Sequence, residues 1–158
     1  MQTELWMVGK TRFAYLDEGV GLYEKRLQHY LSFQMRVIPD LKNSKNLSMA
    51  QIKEKEGKEI LRLLDKGHHL VLLDERGKSM SSTGFASFME RSLQGSHKRL
   101  VFLIGGAYGF SEAVYQRANA KLSLSSMTFS HQMVRLFFIE QLYRAMTILR
   151  NEPYHHDG

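Results

Sequence analysis

A short apolar segment that ends in glycines places the strongest constraint on the fold of this chain. Residues 100–104 are apolar without a break, and Gly105 and Gly106 follow them directly. Such a run predicts a central parallel strand that is covered on both faces. Ser111 then has the character of an N-cap and opens a helix. Ligands bind beyond the carboxyl ends of strands in open α/β sheets, so this glycine loop is a candidate ligand site. A simple tight turn would have a similar sequence.

Strand-like and helix-like segments alternate along the rest of the chain. Apolar strands are predicted at residues 5–8, 33–38, 70–73 and 100–104, and residues 74–77 are predicted to turn away from the third strand. Helices are predicted from Phe13 to Tyr30, after a capping box at residues 48–51, around residues 85–93, and at 111–119 and 132–150. This alternation predicts an α/β fold, with a mostly parallel sheet and helices on both faces. No linker or repeat interrupts it, so residues 1–158 are predicted to form a single domain.

The composition excludes several classes of protein. No apolar run is long enough to span a membrane, and the N-terminus lacks a basic region followed by an apolar one, so we expect a cytoplasmic protein without a membrane partner. The absence of cysteine excludes disulfides, thiol catalysis and cysteine metal sites. His68 and His69 lack a third ligand at metal spacing, so they are predicted to lie at the surface and no metal site is expected.

The net charge favours an anionic partner. The formal charge is +6 and the isoelectric point is about 9.6, which is typical of a protein that binds nucleic acid. No lysine-rich tail carries this charge; it is spread through sequence that is predicted to fold. Binding is therefore expected to use a shaped surface, although many small proteins are basic without binding a polyanion.

The last predicted helix is apolar on nearly its whole circumference. A helix of this kind has to be buried on more than one side. In a domain of this size, one side is predicted to meet the sheet and the other to meet a second subunit. The chain is therefore expected to form a homodimer; the alternative is a helix that is central to the monomer.

Several motifs then resemble a known family. LDERGK at 73–78, FLIGGAYGF at 102–110, LSLSSMTFSHQMVR at 122–135, EQLYRA at 140–145 and NEPYH at 151–155 occur in this order. Together they resemble the RlmH family, SPOUT-class enzymes that methylate N3 of a pseudouridine in 23S ribosomal RNA. The resemblance covers essentially the whole chain. It implies a SPOUT-type α/β fold whose C-terminal segment forms a trefoil knot, and a substrate presented by the assembled ribosome.

The resemblance also implies a cofactor, S-adenosylmethionine (SAM), bound within the knot. An apolar slot with a few backbone donors and acceptors suits adenine, and glycines allow the chain to wrap a bent cofactor. The cofactor residues that the resemblance implies are Leu73, Gly105, Gly106, Leu124, Ser125, Ser126, Met127, Thr128 and Phe129.

Candidate substrate residues lie near the C-terminus. N3 of pseudouridine is a weakly acidic imide nitrogen, so a base, or cations that stabilise its anion, would assist methyl transfer. His131 is the candidate for this role; the alternative is a histidine that only caps the helix. Tyr154 and His155 follow Pro153 and are predicted to order over the substrate base, whereas the alternative is a frayed terminus.

Two arginines interrupt the apolar last helix. Arg144 follows Glu140 by four residues, a favourable spacing for a helical ion pair, and is assigned to structure. Arg135 has no such partner along the helix, so it is predicted to contact an RNA phosphate or the substrate base.

The sequence departs from the family pattern at two positions. Ser130 stands where the family has proline before the histidine, and His156 stands where it has arginine or lysine, which leaves the exact role of the tail open. A catalytically silent RNA-binding or ribosome-assembly module on the same fold remains the alternative function. A flavodoxin-like nucleotide binder is a third and weaker alternative.

Overall fold

A computed structural model describes residues 1–156 and contains a five-stranded sheet, all of whose paired strands are parallel. The strand order is β2-β1-β4-β3-β5, so the predicted glycine-loop strand, β4, is central. The predicted α/β fold with a mostly parallel sheet is confirmed. The strands are β1 (Gln2–Val8), β2 (Phe33–Ile38), β3 (His68–Ser79), β4 (Arg99–Ile104) and β5 (Ala120–Ser123).

Helices cover both faces of this sheet, as predicted. They are α1 (Ala14–Leu27), α2 (Met49–Leu63), α3 (Ser82–Leu93), α4 (Glu112–Arg117) and α5 (Met133–Leu149), with a short 3₁₀ turn at Ser44–Asn46. On one face α5 packs against α1 and α3, and on the other α2 packs against α4. Among the helices of residues 1–156, none has the length and hydropathy needed to cross a bilayer.

The central strand β4 is buried on both faces, which explains its unbroken apolar sequence. Leu100, Phe102 and Ile104 join the core beneath α1, α3 and α5, whereas Val101 and Leu103 join the core beneath α2 and α4. Successive side chains of a strand point to opposite faces, and here both faces are buried. The predicted strand and its two-sided burial are confirmed.

Local helix signals in the sequence are also confirmed. The Ser48 hydroxyl accepts a hydrogen bond from the Gln51 amide, and the Gln51 side chain accepts one from the Ser48 amide, which is the predicted capping box. The Ser111 hydroxyl accepts a hydrogen bond from the Val114 amide and caps α4. These caps satisfy amide groups that have no partner inside the helix.

The third strand is longer than predicted. β3 continues to Ser79, and its register shifts between Leu73 and Lys78, both of which pair with Leu122 of β5. A Cβ atom on Gly77 would lie 2.5 Å from the backbone nitrogen of Leu122, so glycine permits this close contact. Residues 74–77, where the turn was predicted, have no partner on β5 and bulge away from it inside the longer strand, and pairing resumes at Lys78.

The predicted surface position of the neighbouring histidines is wrong for His68. This residue is buried in β3, and its ring meets Trp6 edge-on at a centroid distance of 5.6 Å. His69 is half-buried and stacks on His97 at 4.5 Å. Both histidines face protein because they pair in register with β4.

The last helix is buried largely within one chain. Apolar residues of α5 that include Phe138, Ile139 and Leu142 lie in the core between α1, α3 and the sheet. Apolar side chains at the start of α1, within α1 and α5 and in the loop before α5 remain exposed, and we call this group the apolar face. It comprises Phe13, Tyr15, Leu22, Met127, Phe129 and Phe137. The predicted homodimer stays a prediction, and this face offers a surface for it.

Candidate functional site

A cavity of about 560 Å³ opens at the carboxyl ends of β3, β4 and β5. This volume falls in the range of small-molecule sites, and the position follows the rule for open α/β sheets. Three segments form most of its wall: the end of β3, the glycine loop after β4, and the chain between β5 and α5. Residues at the start of α2 complete the rim, among them Met49 and Lys53.

The predicted cofactor residues converge on this cavity with one exception. Ser126 is exposed and does not line the cavity. The loop that carries the others is held by its own serines: the Ser123 hydroxyl donates to the Ser125 carbonyl, and the Ser125 hydroxyl accepts from the Met127 amide, both at 2.9 Å. The residues that do line the cavity are Leu73, Gly105, Gly106, Leu124, Ser125, Met127, Thr128 and Phe129.

The paired glycines have a packing reason that the sequence did not reveal. A Cβ atom on Gly105 would lie 2.9 Å from the Phe110 ring, and one on Gly106 would lie 2.9 Å from the Glu56 carboxylate. Burial, and then the nearby Asp40 carboxylate, raise the pKa of Glu56. Gly105 and Gly106 therefore admit neighbours from the same chain, in addition to lining the cavity.

His131 lies in the cavity wall with a perturbed imidazole. Its pKa is lowered, first by burial, then by the positive charges of Arg135 and Arg12. The ordinary value for histidine is about 6.5, so the neutral form dominates near neutral pH. A neutral imidazole is able to accept a proton or a hydrogen bond from a bound substrate.

Arg135 was predicted to contact an RNA phosphate or the substrate base, whereas in the structure its guanidinium is bonded within the chain. Its side chain is fully buried and cannot reach an RNA phosphate at the surface. The guanidinium donates to the carbonyls of Val8 and Gly9 at 2.9 Å each, to the Thr11 hydroxyl at 3.1 Å and to the His131 carbonyl at 3.1 Å. Arg135 therefore links the start of α5 to the end of β1. Backbone carbonyls accept the hydrogen bonds that a carboxylate would accept in an ion pair.

The tail is ordered, but it does not line this cavity within the chain. The Tyr154 hydroxyl lies 3.0 Å from a Glu140 carboxylate oxygen and 3.3 Å from the Tyr23 hydroxyl, and burial raises the pKa of Tyr154. The His155 ring nitrogen lies 3.1 Å from the Arg144 guanidinium. Arg144 also pairs with Glu140, so the predicted structural pair is confirmed. Tyr154 and His155 thus pack on their own α5 and α1.

Sequence reasoning missed polar residues at the end of β3 and on two helices. Asp74, Glu75 and Arg76 line the cavity from the bulged segment of β3 that was predicted as a turn. The ring of Tyr115 from α4 lies under the Arg76 guanidinium at 5.0 Å, and burial together with Asp74 raises its pKa to about 12. The LDERGK motif carried the signal for the β3 residues. The glycine loop and the Ser111 cap pointed to the start of α4, but nothing in the sequence linked α2 or Tyr115 to the site.

Within residues 1–156, no group of three or more histidine or acidic side chains is placed to hold a metal ion.

Known proteins resemble this chain along nearly all of its length. A family model described as "Predicted SPOUT methyltransferase" matches residues 1–155. A protein of Parabacteroides distasonis named "Ribosomal RNA large subunit methyltransferase H" is 59% identical over 157 residues, which cover 99% of this chain and 100% of that protein. One of the same name from Bacteroides thetaiotaomicron is 55% identical with the same coverage.

A solved structure shares the fold at low sequence identity. It is titled "The structure of a probable methylase family protein from Haemophilus influenzae Rd KW20" and aligns with a TM-score of 0.54 at 9% identity, covering 94% of this chain and 66% of that one. The family match and the relatives agree with the motifs that surround the cavity. This chain belongs to the SPOUT methyltransferase family.

Proposed function

We propose that this protein is a SAM-dependent methyltransferase that methylates N3 of a pseudouridine in 23S ribosomal RNA. The observation that carries the proposal is the convergence of residues 73, 105–106 and 124–129, apart from Ser126, with His131 around one cavity. The family match and the names of the relatives support the same activity. Ribosomal RNA within the assembled ribosome is the proposed substrate.

The cavity fits the proposed cofactor. Leu73, Ile104 and Leu122 provide buried apolar surface of the kind that an adenine ring requires. Asp74 and Glu75 add carboxylates to the lining. SAM carries a sulfonium and an ammonium group, which carboxylates stabilise in a partly desolvated site. Loop amides between β5 and α5 offer donors for the remaining polar atoms.

His131 has the position and ionisation needed for the proposed reaction. When SAM is bound it supplies a methyl group already activated by the sulfonium. The remaining requirement is to hold the acceptor nitrogen in line and to take up its proton. The imide nitrogen of pseudouridine is weakly acidic, and the neutral His131 imidazole in the cavity wall is suited to accept that proton.

The charge around the cavity supports an RNA substrate. Lys53 and Arg76 line the rim, and Arg12 is close enough to lower the pKa of His131. Phosphate contacts of this kind position a protein on RNA but carry little sequence information. Selectivity is therefore expected from the shape of a folded target in the ribosome and from pseudouridine itself.

A homodimer and a trefoil knot complete the proposal. The apolar face would be buried by a second copy, which explains its exposed aromatic rings. Tyr154 and His155 are held on the surface of α5, and in a pair of chains they would add to one composite RNA surface. The knot is proposed on the family relationship alone.

The experiment is methylation of ribosomes that lack this modification. Purified protein and SAM are incubated with 70S particles, and 23S fragments are analysed by mass spectrometry. We expect one added methyl group on pseudouridine, and much less on protein-free 23S RNA. His131→Gln provides a control that keeps the cavity. Binding of SAM without any methylation of ribosomes would contradict the proposed reaction, and failure to bind SAM would contradict the proposed cofactor.

A further inference from the structure

We propose that Tyr108, which lines the cavity and is half-exposed, is a stacking platform for an unpaired base of the RNA substrate, and that Lys53, which lines the same cavity, contacts the RNA backbone. This inference rests on the proposed function, because it assigns residues that hold its substrate. Tyr108 lies on the glycine loop and Lys53 on α2, and both line the same cavity.

The backbone that carries Tyr108 is held by a tight turn. The Gly109 amide donates to the Gly106 carbonyl at 3.2 Å, these two residues form an isolated bridge, and Gly109 has a φ of +81°. The turn therefore fixes the backbone on both sides of residue 108, while the side chain of Tyr108 remains 47% exposed. A loop whose backbone is already positioned loses less conformational entropy when a ligand stacks on a side chain that it carries.

One face of α2 reaches both this turn and the cavity. Met49, Lys53 and Glu56 are spaced by four and three residues, so they share one face of the helix. Met49 and Lys53 line the cavity, and Glu56 lies close to Gly106. This face of α2 therefore brings an exposed methionine and a lysine ammonium to the cavity that Tyr108 lines.

An aromatic ring beside a cation fits single-stranded RNA. Unpaired bases stack on tyrosine rings, and lysine contacts the adjoining phosphates. Tyr115, the other tyrosine of the cavity, is unsuited to this role because Arg76 and Lys121 already lie over its ring. Within residues 1–156, no aromatic ring packs on Tyr108, so its face is available. The net charge of +6 favours the same partner.

Two variants of Tyr108 distinguish the effect of its aromatic face from the effect of side-chain size. Tyr108→Leu removes the aromatic face and Tyr108→Phe keeps it. We expect Tyr108→Leu to weaken binding to 70S ribosomes, measured by co-sedimentation, by at least about fivefold, with a matching rise in KM. Tyr108→Phe is expected to stay within about twofold of the wild type. Calorimetry is expected to show unchanged SAM affinity for both variants, which also reports that they are folded.

Lys53 is tested against a matched lysine. Lys53→Gln is expected to weaken ribosome binding and to reduce its dependence on salt concentration by about one released counterion. Lys58→Gln changes an exposed lysine of the same helix that does not line the cavity, and is expected to leave both quantities unchanged.

Three outcomes would overturn the inference. Ribosome binding by Tyr108→Leu equal to that of the wild type would remove the platform. A fall in SAM affinity that accounts for the loss would assign the ring to the cofactor. Equal effects of Lys53→Gln and Lys58→Gln would show a diffuse charge effect. Wild-type protein that binds no ribosomes would instead refute the proposed function, together with this inference.

Discussion

Replacing Gly77 by alanine is expected to destabilise the protein severely, although the change adds one methyl group. A Cβ at this position would lie 2.5 Å and 2.6 Å from the backbone N and C of Leu122, and 2.7 Å from the backbone C of Lys121. Carbon contacts are ordinarily about 3.5–4.0 Å, so β3 and β5 would have to separate by about 1 Å. No rotamer relieves the contact because all three atoms belong to the backbone.

The expected loss in the free energy of unfolding can be worked out from the contacts that β3 and β5 would lose. Overpacking of this kind costs about 1–3 kcal/mol, occasionally more. Separation also strains the pairing of Lys78 with Leu122 and of Ser79 with Ser123, where each lost hydrogen bond costs about 1 kcal/mol. We therefore expect Gly77→Ala to lower the free energy of unfolding by about 3–4 kcal/mol. SAM affinity is expected to fall as well, because Leu122 and Ser123 line the cavity.

A second glycine provides the matched control. Gly21 lies inside α1, and a Cβ there would meet no atom within 4 Å. Gly21→Ala is expected to raise the free energy of unfolding by about 0.5–1 kcal/mol, since alanine favours the helix. Urea unfolding at one protein concentration, followed by fluorescence of the buried and unique Trp6, measures both variants. A Gly77→Ala protein as stable as the wild type would refute the reasoning.

Three further changes test other parts of the structure. Because the pKa of His131 is lowered in the folded protein, the unfolded chain takes up the proton at a higher pH than the folded chain does. The free energy of unfolding is therefore expected to fall as the pH drops below about 6.5, and to fall less steeply in His131→Gln. Urea unfolding between pH 5 and 8 measures both proteins. Deletion of residues 154–158 is expected to leave SAM affinity nearly unchanged and to cut methylation of ribosomes about tenfold or more, equivalent to about 1.4 kcal/mol; normal methylation would remove the tail from substrate binding. Sedimentation of the wild type is expected to show a species of twice 18.3 kDa, and Phe137→Lys is expected to convert it to a monomer. A wild-type monomer that methylates ribosomes at full rate would contradict the proposed dimer.

The features that the sequence predicted correctly are those with local causes. The strand at residues 100–104 and the capping box at Ser48 depend on neighbours within a few residues. The return of β3 to the sheet at Lys78 and Ser79 depends on β5, more than forty residues away, and was not predicted. Arg135 was judged by carboxylates along its own helix, whereas its partner Gly9 is 126 residues distant in sequence. Such pairings follow from the order of strands in the sheet, which composition and spacing do not specify.

The same long-range contact explains why a cavity exists at this edge of the sheet. β5 is the edge strand beyond β3, and β4 and then β1 follow on the other side. Arg135 holds the start of α5 to the carbonyls of Val8 and Gly9 at the end of β1, and Gln132 bonds there to the Lys10 carbonyl and the Arg12 amide. The chain between β5 and α5 must therefore return across the carboxyl ends of β3 and β4, and in doing so it forms the wall that carries residues 124–131. Arg135 thus shapes the site without lining the cavity, because it fixes where that wall ends and bonds to the carbonyl of His131.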